Sequence, residues 1–262
     1  MPLFIFEIKR RLKSLLIWYF ALFIIMIVAS VEFSVYQGDE SIREAMVAFE
    51  PFFKALGVEN LNFTTAIGFL AIFSIYIYLP LTIFSGLLGL TILSKEEHKK
   101  TSEFLLTLPL KRTTVLTQKL LSGVLLTVIL NMLLHFTILA IFYQYNPTIE
   151  LISFVFHMSL GVLIIQLIFF SIAFMLGIIV AREKVLNGVF LTLLISTFIL
   201  NMLIGYLDNA YFLPYLTPFY YFRASLMVSG EFKISYMILS LLLIGLSLGY
   251  TYYYYPKKNI TL

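Results

Sequence analysis

Hydrophobic residues in this chain fall into long continuous runs, and those runs set the expected architecture. Six of them suit helices that cross a bilayer, which takes about 20 residues each: residues 15–36, 65–93, 120–143, 149–180, 188–207 and 234–255. The second and fourth are longer than a hydrocarbon core of about 30 Å requires, so tilt, bending or projection is expected. Pro80 removes a backbone donor within the second run and predicts its bend there. Ser85 and Gly89 form a small-xxx-small pair in the same run, a pattern that admits a close helix neighbour. Gly245 and Gly249 repeat that pattern in the last run.

The polar intervals are as informative as the runs. On a helical wheel of residues 2–14, Phe4, Ile8, Leu12 and Leu15 share one side, while Glu7, Arg10, Arg11 and Ser14 share the other. Lys9 and Lys13 flank the polar side. This predicts an interfacial helix with its basic groups towards anionic lipid. Residues 37–62 are mostly acidic and carry Ile42, Met46, Phe49, Phe53 and Leu56 at helical spacing, interrupted by Pro51. One or two short amphipathic helices on the outer surface are expected there. Residues 208–233 are rich in Tyr and Phe and broken by Pro214 and Pro218. A re-entrant or interfacial helix pair suits them, because irregular backbone at membrane depth needs protein or water to cover it. The densely charged stretch is 94–119, SKEEHKKTSEFLLTLPLKRTTVLTQK.

Composition fixes the class. Of 262 residues, 61% are hydrophobic and 12% charged, against about 25% charged in soluble domains. The chain reads as an all-α integral membrane protein, a single transmembrane domain over residues 1–262. No soluble domain fits beside six spans, so any nucleotide-driven chemistry is expected on another chain. Cysteine is absent, which excludes disulfides and thiolate chemistry.

Charge gives the orientation. With both termini, 94–119 and 181–187 placed on one side, fourteen of the eighteen Lys and Arg lie there. Nine of the fourteen Asp and Glu lie opposite. The positive-inside rule then puts both termini in the cytoplasm of a cell membrane, read as a bacterial plasma membrane.

Candidate chemistry is sparse. Asn131, His135, His157, Gln166 and Asn201 are the polar groups within spans, and Asn131 and His135 share a helix face four residues apart. They fit either contacts in a transport pathway or interhelical hydrogen bonds. No acidic pair lies mid-membrane, which weighs against an ion-coupled secondary transporter. The three His residues have no metal-ligand spacing. No catalytic residue, metal site or nucleic-acid partner is expected.

Within 94–119, Ser94-x-x-Glu97 has the form of a capping box. A helix from there would end near Thr107, because Leu108 precedes Pro109. Here the residues resemble the permease subunits of type-2 ATP-binding-cassette exporters. The resemblance rests on Glu96-Glu97, Lys100-Thr101-Ser102-Glu103, Phe104-Leu105-Leu106 with Thr107-Leu108-Pro109, then Lys111-Arg112 and Lys119. Leu216-Thr217-Pro218-Phe219 is similar to the family's step before the last span, and residues 255–260 to its terminal step. Lys100 and Asn259 depart from the family's usual Gly and Asp.

The resemblance implies an N-terminal elbow helix and a cytoplasmic coupling helix between spans two and three. Glu96, Glu97, Lys100, Thr101, Ser102, Glu103, Phe104, Leu105, Leu106, Pro109 and Arg112 would contact an ATP-binding subunit. It also implies two such subunits, a second permease that is identical or related, and ATP with magnesium held by the partner and not by this chain. The apolar walls suggest an amphipathic peptide, drug or lipid-like substrate. A non-transporting scaffold or immunity protein is the alternative from a different class.

Overall fold

In the computed structural model, residues 2–58, 61–98, 111–180, 183–207 and 211–257 are described, with no strand among them. Eleven helices are used below: α1 Pro2–Tyr36, α2 Glu40–Val47, α3 Glu50–Leu56, α4 Ala66–Phe73, α5 Ile75–His98 and α6 Arg112–Phe142, followed by α7 Ile149–Ile179, α8 Glu183–Ile204, α9 Pro218–Tyr221, α10 Ala224–Ser229 and α11 Ile234–Tyr254. Six are long and apolar enough to span a membrane: α1, α5, α6, α7, α8 and α11.

Burial separates centre from periphery. The most apolar stretches of α5 and α7 are each 61% buried, whereas those of α8 and α11 are 22% buried. The two central helices approach closely through glycine. A Cβ on Gly89 would sit 2.6 Å from the Phe170 carbonyl oxygen, and one on Gly177 would sit 3.2 Å from that of Leu90. The small-residue pair expected in the second span therefore does admit a neighbouring backbone. The second pair behaves differently: Gly245 and Gly249 both face open space. Around the α5–α7 pair, α6 fills the third core position, α1 packs on α6, α8 on α5 and α11 on α7.

The first span departs from expectation. Residues 2–14 are not set apart as a separate interfacial helix, because α1 runs without a break from Pro2 to Tyr36. The expected wheel is also split: Glu7 and Arg11 of its polar side are buried while Arg10 and Ser14 are exposed, and Leu15 of its apolar side is buried while Leu12 is exposed. Leu3, Glu7, Arg11, Leu15, Leu22, Met26, Ala29 and Phe33 form the buried stripe, while Ile5, Phe6, Leu12 and Leu16 are exposed. In lipid an apolar side chain gains little by turning inward, so the side that carries Glu7 and Arg11, whose partners lie in the bundle, is the one that packs.

The second span is interrupted at Ser74, between α4 and α5, and Pro80 lies inside the continuous part of α5. The Ser74 hydroxyl donates to the Ala71 carbonyl at 2.6 Å, and the Ser74 amide reaches the same carbonyl at 3.3 Å. Such a side-chain bond to the backbone competes with the helical ladder and favours a bend. At its other end α5 continues through Ser94 to His98. Ser94 is thus an interior helical residue and not an N-cap. The rest of that expected helix, residues 99–107, and the Leu-Pro step lie outside the described residues. α6 begins at Arg112, a full two turns before the expected start of the third span.

Short helices cover the end of the bundle opposite the termini. α2 is capped by Asp39, whose carboxylate accepts from the Ser41 amide at 2.9 Å and the Ile42 amide at 3.4 Å. α3 ends at Gly57, φ +76°, where a Cβ would fall 2.5 Å from the Arg223 side chain. Both the left-handed backbone and the close approach require glycine there. Before α11, a 3-10 turn (Leu213–Leu216), α9 and α10 hold 213–229 against the spans. Thr217 donates to the Thr197 carbonyl at 2.8 Å, and Phe219 sits 5.4 Å from the Phe169 ring and 5.3 Å from that of Phe198. Burial and the neighbouring Tyr236 push the Tyr221 hydroxyl up to about 12. It therefore stays protonated and donates to the Tyr215 carbonyl.

Candidate functional site

Polar side chains gather at three levels of the bundle. At the end that carries both termini, here the basic end, Glu7 is fully buried and Lys119 is 1% exposed. Lys119 Nζ donates to Glu7 Oε1 at 2.7 Å and to the Ile92 carbonyl at 2.9 Å. Arg11 pairs with the other oxygen of Glu7 and reaches the Thr91 carbonyl at 3.3 Å. One carboxylate thus joins α1, the C-terminal turns of α5 and the N-terminal turns of α6. These two helix ends bracket 99–110. A charge cluster taken out of water holds only when its partners are complete, so this joint fixes the three ends relative to one another. Arg112, at the start of α6, donates to the Pro256 carbonyl at 3.3 Å and so ties α6 to the tail of α11.

Halfway along, the chemistry is neutral. Asn131 Nδ2 donates to Gln166 Oε1 at 3.0 Å, and Gln166 Nε2 donates to the Leu81 carbonyl at 3.1 Å. The Ser159 hydroxyl donates to Asn131 Oδ1 at 2.7 Å. This chain of amides links α5, α6 and α7. His135 is 4% exposed, with Nδ1 2.8 Å from the Asn131 carbonyl and, among the described residues, no partner for Nε2.

At the far end, Arg223 donates through Nε to Asn201 Oδ1 at 3.2 Å and through Nη2 to the Asn201 carbonyl at 2.7 Å. Its guanidinium lies 4.1 Å from the Tyr220 ring centroid, a cation–π distance. Close by, an aromatic groove of about 520 Å³ opens between α1, α3, the α4–α5 break and α8, lined by Glu32, Phe52, Phe73, Tyr76 and Phe198 among others.

The residues singled out from sequence therefore part company. Asn131, Gln166 and His135 meet in one network. His157 stands apart, its ring 5.7 Å from Phe232, and Asn201 belongs to the far end. Of the coupling residues, Glu96 and Glu97 lie on the last turns of α5 and Arg112 opens α6. Lys100, Thr101, Ser102, Glu103, Phe104, Leu105, Leu106 and Pro109 lie outside the described residues. Glu7 and Arg11 were missed as buried groups. Their signal was register: with Leu3, Leu15, Leu22 and Met26 they repeat at intervals of four and seven. Arg223 carried no such signal.

Six helices long and apolar enough to span a membrane, joined by internal polar contacts, define a polytopic helical membrane protein. The family model described as ABC-2 family transporter protein matches residues 1–260, and the chain belongs to that family. Comparison with curated proteins finds no match. Permeases of this family work in membranes together with ATP-binding subunits.

Proposed function

We propose that the chain is the membrane subunit of an ATP-driven exporter, forming the translocation pathway and coupling to a separate ATP-binding subunit through 94–119. The observation that carries this reading is the family match over residues 1–260. The basic-end joint supports it, because the two helix ends bracketing 99–110 are clamped to α1 by Glu7, Arg11 and Lys119. A push on that segment would pass to three spans together.

In this reading the working assembly has two permease chains, identical or related, and two ATP-binding subunits. ATP and magnesium reside on the ATP-binding subunits. Both termini face the cytoplasm in this reading, which the distribution of Lys and Arg supports. The substrate is amphipathic, a peptide, drug or lipid-like molecule, in keeping with the aromatic groove and its single carboxylate, Glu32.

The test is reconstitution of the chain with its ATP-binding subunit in vesicles. ATP-dependent substrate movement is expected, and Glu103→Lys or Leu106→Asp should leave ATP hydrolysis running while transport stops. Transport without ATP would indicate a secondary transporter, and no transport in the complete complex would indicate a scaffold.

A further inference from the structure

A second groove, of about 290 Å³, lies at the basic end between α1 and α5. Its lining changes character along its length. Arg10, Arg11, Ser14 and Thr91 form one half, and Trp18, Phe84, Leu87 and Leu88 form the other. Arg11 and Trp18 are seven residues apart on one helix, which is about 10 Å of rise. Thr91 and Phe84 give the same span on α5, with Thr91 level with Arg11 through its carbonyl. The Trp18 ring meets the Phe84 ring edge-on at 5.9 Å and closes the apolar half.

We propose that this groove is a binding site for one anionic phospholipid, with the phosphate held at Arg10 and Ser14 and an acyl chain laid along Trp18, Phe84 and Leu87. The charge argument rests on Arg10, which is exposed at the rim and takes part in no ion pair among the described residues. A guanidinium offers a planar fork of donors that matches phosphate oxygens. Ser14 adds a hydroxyl donor, and a Trp at this depth sits where headgroups meet chains. A free phosphate would use only the polar half; the apolar half needs a chain. Such a lipid would brace α1 against α5 beside the joint that clamps the helix ends.

Trp18 is the sole tryptophan, so it reports on its own groove. The chain is reconstituted in phosphatidylcholine vesicles containing rising fractions of phosphatidylglycerol with a dibrominated acyl chain, or of the equally brominated phosphatidylcholine. Tryptophan quenching is then compared. Brominated phosphatidylglycerol should quench at lower mole fraction, and Arg10→Gln should reduce that preference about ten-fold, as expected for loss of one charge-assisted hydrogen bond. Leu87→Phe, which fills the apolar half without touching the charge, should weaken quenching by the anionic lipid. Lys9→Gln and Lys13→Gln, outside the groove, should leave the preference intact, as should millimolar inorganic phosphate. Equal quenching by the two lipids would overturn the proposal. So would an equal loss in Lys9→Gln, which signals general surface attraction, or displacement by inorganic phosphate, which signals an anion site without a lipid. The experiment needs no ATP-binding subunit, so its outcome is independent of the transport reading.

Discussion

The basic-end joint and the mid-bundle amide network lie on the same helix, Lys119 and Asn131 being twelve residues and about 18 Å apart. Both cross-link α5 and α6 to a third helix, yet they use different chemistry. Near the end of the bundle a carboxylate, a guanidinium and an ammonium are all buried and mutually satisfied. At the centre only amides, a hydroxyl and an imidazole are used. The cost of a charge rises towards the bilayer midplane. Ionic joints, which are strong when complete and destabilising when broken, therefore belong near the boundary. Weak neutral bonds serve the middle, where a buried charge would cost most.

Breaking the ionic joint should have the largest effect. Lys119→Met leaves Glu7 buried with one partner fewer, and loss of one member of a buried pair costs about 3–5 kcal/mol. A fall in thermal unfolding midpoint of the detergent-solubilised chain is expected, with much of it recovered in the Glu7→Gln, Lys119→Met double variant. Placing a charge in the neutral level comes next. Asn131→Asp should cost about 3 kcal/mol, the penalty for aspartate at the centre of a membrane helix, visible as poor insertion or a lower midpoint. If Asn131→Asp were harmless, the difference between the levels would not be one of depth.

Removing a neutral bond should matter less. Gln166→Leu is expected to cost about 0.6 kcal/mol, typical of interhelical hydrogen bonds in a membrane protein, and the same unfolding assay measures it. The smallest effect concerns pH at the far end. Hydrogen bonds from the Ser41 hydroxyl and amide and from the Ile42 amide hold the Asp39 carboxyl below its usual range. A depressed folded-state value stabilises the α2 N-terminus above the ordinary carboxylate range, and the contribution is lost as pH falls through the lowered value. Amide exchange in residues 40–43 should accelerate over that acidic window and in Asp39→Ala at neutral pH.

How legible these levels were in sequence follows from the same physics. The fourth and sixth spans end within a residue of where their apolar runs end, because an uninterrupted run flanked by polar residues leaves a membrane helix little choice. Asn131, His135 and Gln166 stood out as polar residues in apolar runs, and Asn131 and Gln166 do meet. Glu7 and Arg11 looked like the polar face of an interfacial helix because that reading assumes polar groups seek water. In a bundle they found Lys119 and the Thr91 carbonyl instead, a partnership set by residues 80 and more positions away. The break at Ser74 was hidden for another reason. A proline announces itself in sequence, whereas a serine that captures a backbone carbonyl looks like any other small residue.

The central claim is that the basic end, through 94–119, meets an ATP-binding subunit. The most direct measurement places a photo-crosslinking amino acid at Leu106, and separately at Tyr211, which is 85% exposed at the opposite end. Each variant is irradiated in membranes of the native host, and the adducts are identified by peptide mass. A covalent adduct with an ATP-binding-cassette ATPase chain is predicted from position 106 and none from position 211. No such adduct at 106, or one formed at 211, would contradict the account.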